Sequence, residues 1–115
     1  MQDTPYGFAS RFGDRKGVNP EELIAAAHAG CFTMAMSNKL AEAGHPAEAI
    51  DTRAEVDLST EGGPSLSAIR LKATARVPGM DAAQFRAIAD DVGKHCPVSR
   101  ALSAVPITVE AELAG

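Results

Sequence analysis

Cysteine is nearly missing from this chain: the 115 residues hold two, Cys31 and Cys96. Tryptophan is absent and aromatic residues make up 4%, so alanine, leucine, valine and methionine must fill the core. No run of eighteen apolar residues occurs, which excludes a transmembrane helix and leaves no membrane partner to expect. No Lys/Arg-rich block stands out either. Arg11, Arg15 and Lys16 make only a short basic patch in a chain of net charge −4, so nucleic acid is excluded as a partner. The first residues, Met1 to Tyr6, lack the basic and apolar regions of a signal peptide. The expected compartment is the cytosol, where disulfides are usually transient and catalytic or redox-sensing rather than structural.

What is present reads as one globular domain over residues 1–115, 45% hydrophobic and 23% charged. A core of this size is thin unless something extends it, and dimerisation is one such extension. Residues 1–18 hold no strong period, which suggests an irregular or strand-like lead-in. Asn19-Pro20-Glu21-Glu22 then opens a helix: Asn19 suits the N-cap, Pro20 the first turn, and the two acids the positive helix end. The helix is expected to run to about Ala43 and to stop at Gly44. From Leu23 to Met36 it is apolar on nearly every face, which predicts burial on most sides, partly by a second subunit.

Ile50 to Leu58 alternates polar and apolar residues, and Ile69 to Val77 does so again across the turn Glu61-Gly62-Gly63-Pro64. The first segment has an acidic outer face and the second a basic one, which favours an antiparallel hairpin. Asp81 caps a second helix with the stripe Phe85, Ile88, Ala89 and Val92, expected to end near Gly93. Pro97 starts a short helix over about 97–103, and Pro106 to Leu113 forms a last strand. The fold class is α+β, with antiparallel strands, a buried helix and an amphipathic one.

The two thiols differ in setting. A thiol attacks only as thiolate, and a free pKa of roughly 8.5 leaves a few per cent ionised near neutrality. Cys96 precedes Pro97 at a helix start and neighbours His95, which makes it the readier thiolate by local electrostatics. Cys31 is mid-helix and needs an external cation. His28, one turn back, and Arg11, from the lead-in, are the candidates; without one, Cys31 is a small buried residue packing on Ile24, Ala27 and Ala35. His28-x-x-Cys31 with His95-Cys96 is a weak metal pattern, because zinc sites show two close ligand pairs. His28 fits a core or interface histidine better, and His45 a solvated turn. Glu21 precedes Cys31 by ten residues on one helix, about 15 Å at the α-helical rise. It cannot touch that thiol within its own chain, and its spacing alone favours a first-turn acid serving the helix end.

Three segments carry a resemblance: Pro5-Tyr6-Gly7-Phe8-Ala9-Ser10-Arg11-Phe12; Gly17-Val18-Asn19-Pro20-Glu21-Glu22-Leu23-Ile24; and Ala26-Ala27-His28-Ala29-Gly30-Cys31-Phe32-Thr33-Met34-Ala35. With Cys96-Pro97-Val98-Ser99 they resemble the OsmC/Ohr family, on its OsmC branch, from about residue 5 to residue 113. The resemblance implies a thiol peroxidase folded as an intertwined α+β homodimer, with active sites at the subunit interface. It makes Cys31 the peroxidatic and Cys96 the resolving cysteine, reversing the order that local electrostatics favours. Arg11 becomes the activating arginine and Glu21 its partner. It further implies organic hydroperoxides, and hydrogen peroxide, as substrates. A Cys31–Cys96 disulfide would be recycled by a small or lipoyl-type dithiol, with no metal, haem or flavin. Family members carry strands before the Pro-Tyr-Gly-Phe segment, so shortened N-terminal strands are expected here. A redox-sensing or binding domain without catalysis is the alternative on the same fold.

Overall fold

The computed structural model describes residues 19–63 and 65–114. The expected lead-in over 1–18, Arg11 within it, the shortened N-terminal strands and Pro64 of the turn lie outside these residues. In chain order the elements are α1 (Pro20–Glu42), β1 (Ala49–Ser59), β2 (Ser65–Arg76), α2 (Ala82–His95), α3 (Pro97–Ala101) and β3 (Ile107–Leu113). The α+β class holds.

Helix α1 begins as its sequence dictates. The Asn19 Oδ1 accepts the Glu22 amide at 2.8 Å, and Pro20 occupies the first turn, where no intrahelical amide is lost. It ends at Ala43, after which Gly44 takes φ 84°, a left-handed conformation that favours glycine. Within this subunit its burial is narrower than its composition suggests. His28, Phe32, Met36 and Leu40, spaced four apart, form the buried stripe, while Ala26, Ala27 and Gly30 are exposed and Met34 is 75% exposed. Alanine and glycine read as apolar on every face, yet only the long side chains of one face reach the core. Burying Phe32, Met36 and Leu40 stabilises the fold by about 1.5–3 kcal/mol each.

Strands β1 and β2 form the expected antiparallel hairpin, with Arg53 opposite Lys72 and Glu55 opposite Arg70. On its outer face Arg70 bonds both Asp57 and Glu55, and Lys72 reaches Glu55 at 3.1 Å. These contacts hold both carboxyls below the usual carboxylate range. On the inner face Leu71, Ala73 and Ala75 are buried.

The third strand corrects the expectation of an all-antiparallel sheet. β3 pairs with β2 in parallel, Leu71 opposite Val109, in the order β1-β2-β3. The segment from Val77 to Pro106 carries both α2 and α3, long enough for the crossover a parallel pair requires. Helix α2 also outruns its expected stop at Gly93 and continues to His95. Gly93 is buried inside it. A Cβ there would lie 2.3 Å from Val109 Cγ2, so this glycine serves close helix-to-strand packing rather than termination. Helix α3 closes at Ala101, two residues short of the expected end. Among the described residues no helix is long and apolar enough to cross a membrane.

Candidate active site

Cys31 sits beside the buried stripe of α1, one residue before Phe32. That offset is about 100° of helical rotation, so it places the thiol at the flank of the core rather than inside it. Cys31 is half-buried and packs against the core cluster that contains Cys96. Its outer side opens on an apolar recess lined by Ala26, Ala27, Gly30, Met34, Ala35 and Pro97.

Cys96 reaches the same place from the other end of the chain. It closes α2 and opens α3 in an extended conformation, φ −63° and ψ 149°. Its amide bonds to the Val92 carbonyl at 2.9 Å, and its carbonyl accepts the Arg100 amide at 3.0 Å. Pro97 next to it fixes the turn between the two helices. Cys96 is 3% exposed, so it lies behind Cys31 as seen from the recess. No disulfide joins Cys31 and Cys96 here, and the Cys96 thiol is close enough to bear on that of Cys31.

Burial pushes the Cys31 thiol pKa up. The adjacent Cys96 thiol adds to the rise, and the Val98 backbone amide, which donates toward the sulfur, opposes it. The first-turn amide of α3 therefore serves Cys31. Cys96, expected to gain from that helix start, makes no side-chain capping bond. Its Sγ meets Ser99 Oγ at 3.1 Å instead.

Ser99 is the residue that sequence reasoning left without a role, although it closes the Cys96-Pro97-Val98-Ser99 segment. Its hydroxyl is buried between Cys96 and His28, whose Nε2 lies 2.6 Å away. The three-residue spacing on a helix start signals the first contact. Nothing local signals the second, which joins residues 71 positions apart. His28 is fully buried, as expected of a core histidine, and burial lowers its pKa. It is therefore a neutral imidazole and not the cation that Cys31 needs.

The remaining candidates are not brought to the thiols within the described residues. Glu21 lies in the first turn of α1, at a polar recess shared with Glu22, Glu55, Asp57 and Arg70. It stands away from the Cys31 recess, as its ten-residue separation requires. Arg11 is outside the described residues. Among those described, no group of three or more His, Cys, Asp or Glu side chains converges in a manner that could hold a metal ion. The geometry provides an accessible sulfur, a second sulfur in reach behind it, and hydrogen-bonding groups on each.

Residues 13–111 match the family described as OsmC-like protein. The peroxiredoxin OsmC of Escherichia coli (strain K12) is 46% identical over 114 residues, covering 98% of this chain and 79% of that protein. The organic hydroperoxide resistance protein of Xanthomonas axonopodis pv. citri (strain 306) is 32% identical over 102 residues, covering 85% of this chain and 67% of that one. Among solved structures, an organic hydroperoxide resistance protein from Elizabethkingia anophelis superposes with a TM-score of 0.76. It is 22% identical and covers 97% of this chain and 80% of its own length. With a family match across most of the chain and the two thiols meeting where α1 packs on α3, the chain belongs to the OsmC-like protein family.

Proposed function

We propose that the chain is a thiol-dependent peroxidase in which Cys31 attacks the peroxide and Cys96 resolves the product. One observation carries the reading: the two thiols lie within reach of each other, Cys31 on an open apolar recess and Cys96 buried behind it. The names of the relatives, a peroxiredoxin and an organic hydroperoxide resistance protein, support it.

In the first step the Cys31 thiolate attacks the distal peroxide oxygen. The O–O bond breaks, the sulfur takes up OH as a sulfenic acid, and the alkoxide leaves as an alcohol after taking a proton from solvent. In the second step Cys96 sulfur attacks Cys31 sulfur. The S–S bond forms, and the displaced hydroxide leaves as water with the Cys96 proton. A dithiol then reduces the disulfide by exchange and is itself oxidised. The apolar recess suits the alkyl part of an organic hydroperoxide, and hydrogen peroxide fits the same path. Small or lipoyl-type dithiols, the reductants that the family resemblance implies, would reach Cys31 by the same recess.

The raised Cys31 pKa requires a cation from elsewhere. Arg11 is that cation in this proposal, and Glu21 of the partner subunit holds it. The exposed face of α1, with Ala26, Ala27, Gly30 and Met34, supports a homodimer in which the partner walls this recess and leaves its mouth open to Cys31. A cytosolic location belongs to the same proposal. The test is peroxide consumption with dithiothreitol, using cumene hydroperoxide and hydrogen peroxide side by side, in wild type and in Cys31→Ser. Wild type is expected to turn over and Cys31→Ser to fall to background. Disulfide formation without turnover in wild type favours the redox-sensing alternative instead.

A further inference from the structure

Ser99 and His28 form a buried polar pair that the peroxidase reading leaves unused. Both are almost fully buried, at 2% and 0% exposure, and their bond is 2.6 Å long. Among the described residues, His28 Nδ1 has no hydrogen-bond partner. A buried polar atom without a partner costs stability, and an aromatic hydrocarbon would fill the same space without that cost. The polarity therefore has a use, and the nearest reacting atom is Cys96 Sγ, 3.1 Å from Ser99 Oγ.

We infer that Ser99 donates its hydroxyl hydrogen bond to the Cys96 thiolate, and that His28 is the positioning residue that turns the hydroxyl toward the sulfur. The tautomer that carries its proton on Nε2 donates to Ser99 Oγ, which leaves the Ser99 hydrogen free for Cys96. The bare Nδ1 is then an acceptor, the less costly kind of group to leave unpaired. The bond strengthens whenever charge gathers on Cys96, since hydrogen bonds to ionised groups are the stronger ones.

Charge gathers there twice. It does so when Cys96 attacks the oxidised Cys31, and again when the disulfide is reduced. An external thiolate reaches Cys31 from the recess, while Cys96 is shielded. Attack on Cys31 sulfur forms a mixed disulfide, breaks the Cys31–Cys96 bond and leaves the electron pair on Cys96. The departing sulfur takes its proton from the second thiol of the reductant, whose thiolate then releases Cys31 and closes the reductant's own disulfide. A stabilised leaving thiolate departs faster.

This inference rests on the Cys31–Cys96 pairing proposed above, and its test does not need peroxide turnover. The full chain is oxidised with diamide, and reduction of the disulfide by dithiothreitol is followed by stopped flow. Ser99→Ala is expected to slow reduction about tenfold or more, and Ser99→Thr, which keeps the hydroxyl, to restore it. His28→Phe fills the space without a donor and is expected to slow reduction alike, with little further slowing when combined with Ser99→Ala. His28→Gln retains an amide donor and is expected to approach the wild-type rate. Wild-type rates in Ser99→Ala or His28→Phe overturn the inference, as does equal slowing by Ser99→Thr, or no Cys31–Cys96 disulfide with diamide. If diamide forms the disulfide and hydroperoxide does not, the peroxidase reading alone fails.

Discussion

A methyl group added at Gly93 would sit 2.3 Å from Val109 Cγ2 and 3.6 Å from Val109 Cβ. Carbon atoms attract at about 3.5–4.0 Å, so the first contact overlaps by more than an ångström and the second is ordinary. Valine is stiff about its first side-chain torsion, so Gly93→Ala forces α2 and β3 apart or Val109 off its rotamer. Such overpacking costs about 1–3 kcal/mol, and the gain of alanine over glycine inside a helix offsets about 1 kcal/mol of it. Val109→Ala alone removes two half-buried methyl groups, worth about 0.8 kcal/mol together. It also removes the atom that clashes. The double variant is therefore expected to be more stable than the sum of the two single changes by about 1–3 kcal/mol. Urea unfolding at one fixed protein concentration measures this, since self-association would shift the midpoints. Additivity within about 0.5 kcal/mol would refute the packing role given to Gly93.

Other outcomes are fixed by single contacts. Asn19→Ala deletes the acceptor of the Glu22 amide and is expected to cost about 1 kcal/mol by the same urea assay, whereas Asn19→Asp keeps the cap. In Arg11→Ala, which removes the proposed cation, burial leaves the Cys31 thiol pKa raised on folding. The unfolded chain thus releases the proton first, and stability is expected to fall as pH rises above the ordinary thiol range. Urea midpoints from neutral to alkaline pH should show this slope in Arg11→Ala, and a flatter one when Cys31→Ser is added to it. The carboxyls of Glu55 and Asp57 behave in the opposite sense. Their pKa values are lowered by Arg70 first, so the stability they contribute is present above the ordinary carboxylate range and is lost as pH falls through the folded values. Arg70→Gln should weaken that acid dependence.

The elements were legible because each announces itself locally. Asn19-Pro20 and Asp81 mark helix starts, and two alternating segments of opposite outer charge mark a hairpin. The direction of β3 was not legible, because a period of two is the same in parallel and antiparallel strands. Gly93 misled because a glycine that ends a helix and one that admits a valine look alike in sequence. The site divides in the same way. Cys31 and Cys96 stand out as the two thiols of the chain and lie in specific motifs. Which sulfur the Val98 amide faces is a matter of how α1 packs on α3. The Ser99–His28 bond spans 71 positions and leaves no local trace.

The central claim is that Cys31 is oxidised first and Cys96 then closes a disulfide with it. One equivalent of cumene hydroperoxide added to the reduced chain, followed by dimedone, digestion and mass spectrometry, tests it directly. Wild type should yield a Cys31–Cys96 disulfide, and Cys96→Ser should carry dimedone on Cys31. Dimedone on Cys96 in Cys31→Ser, with no disulfide in wild type, would contradict it.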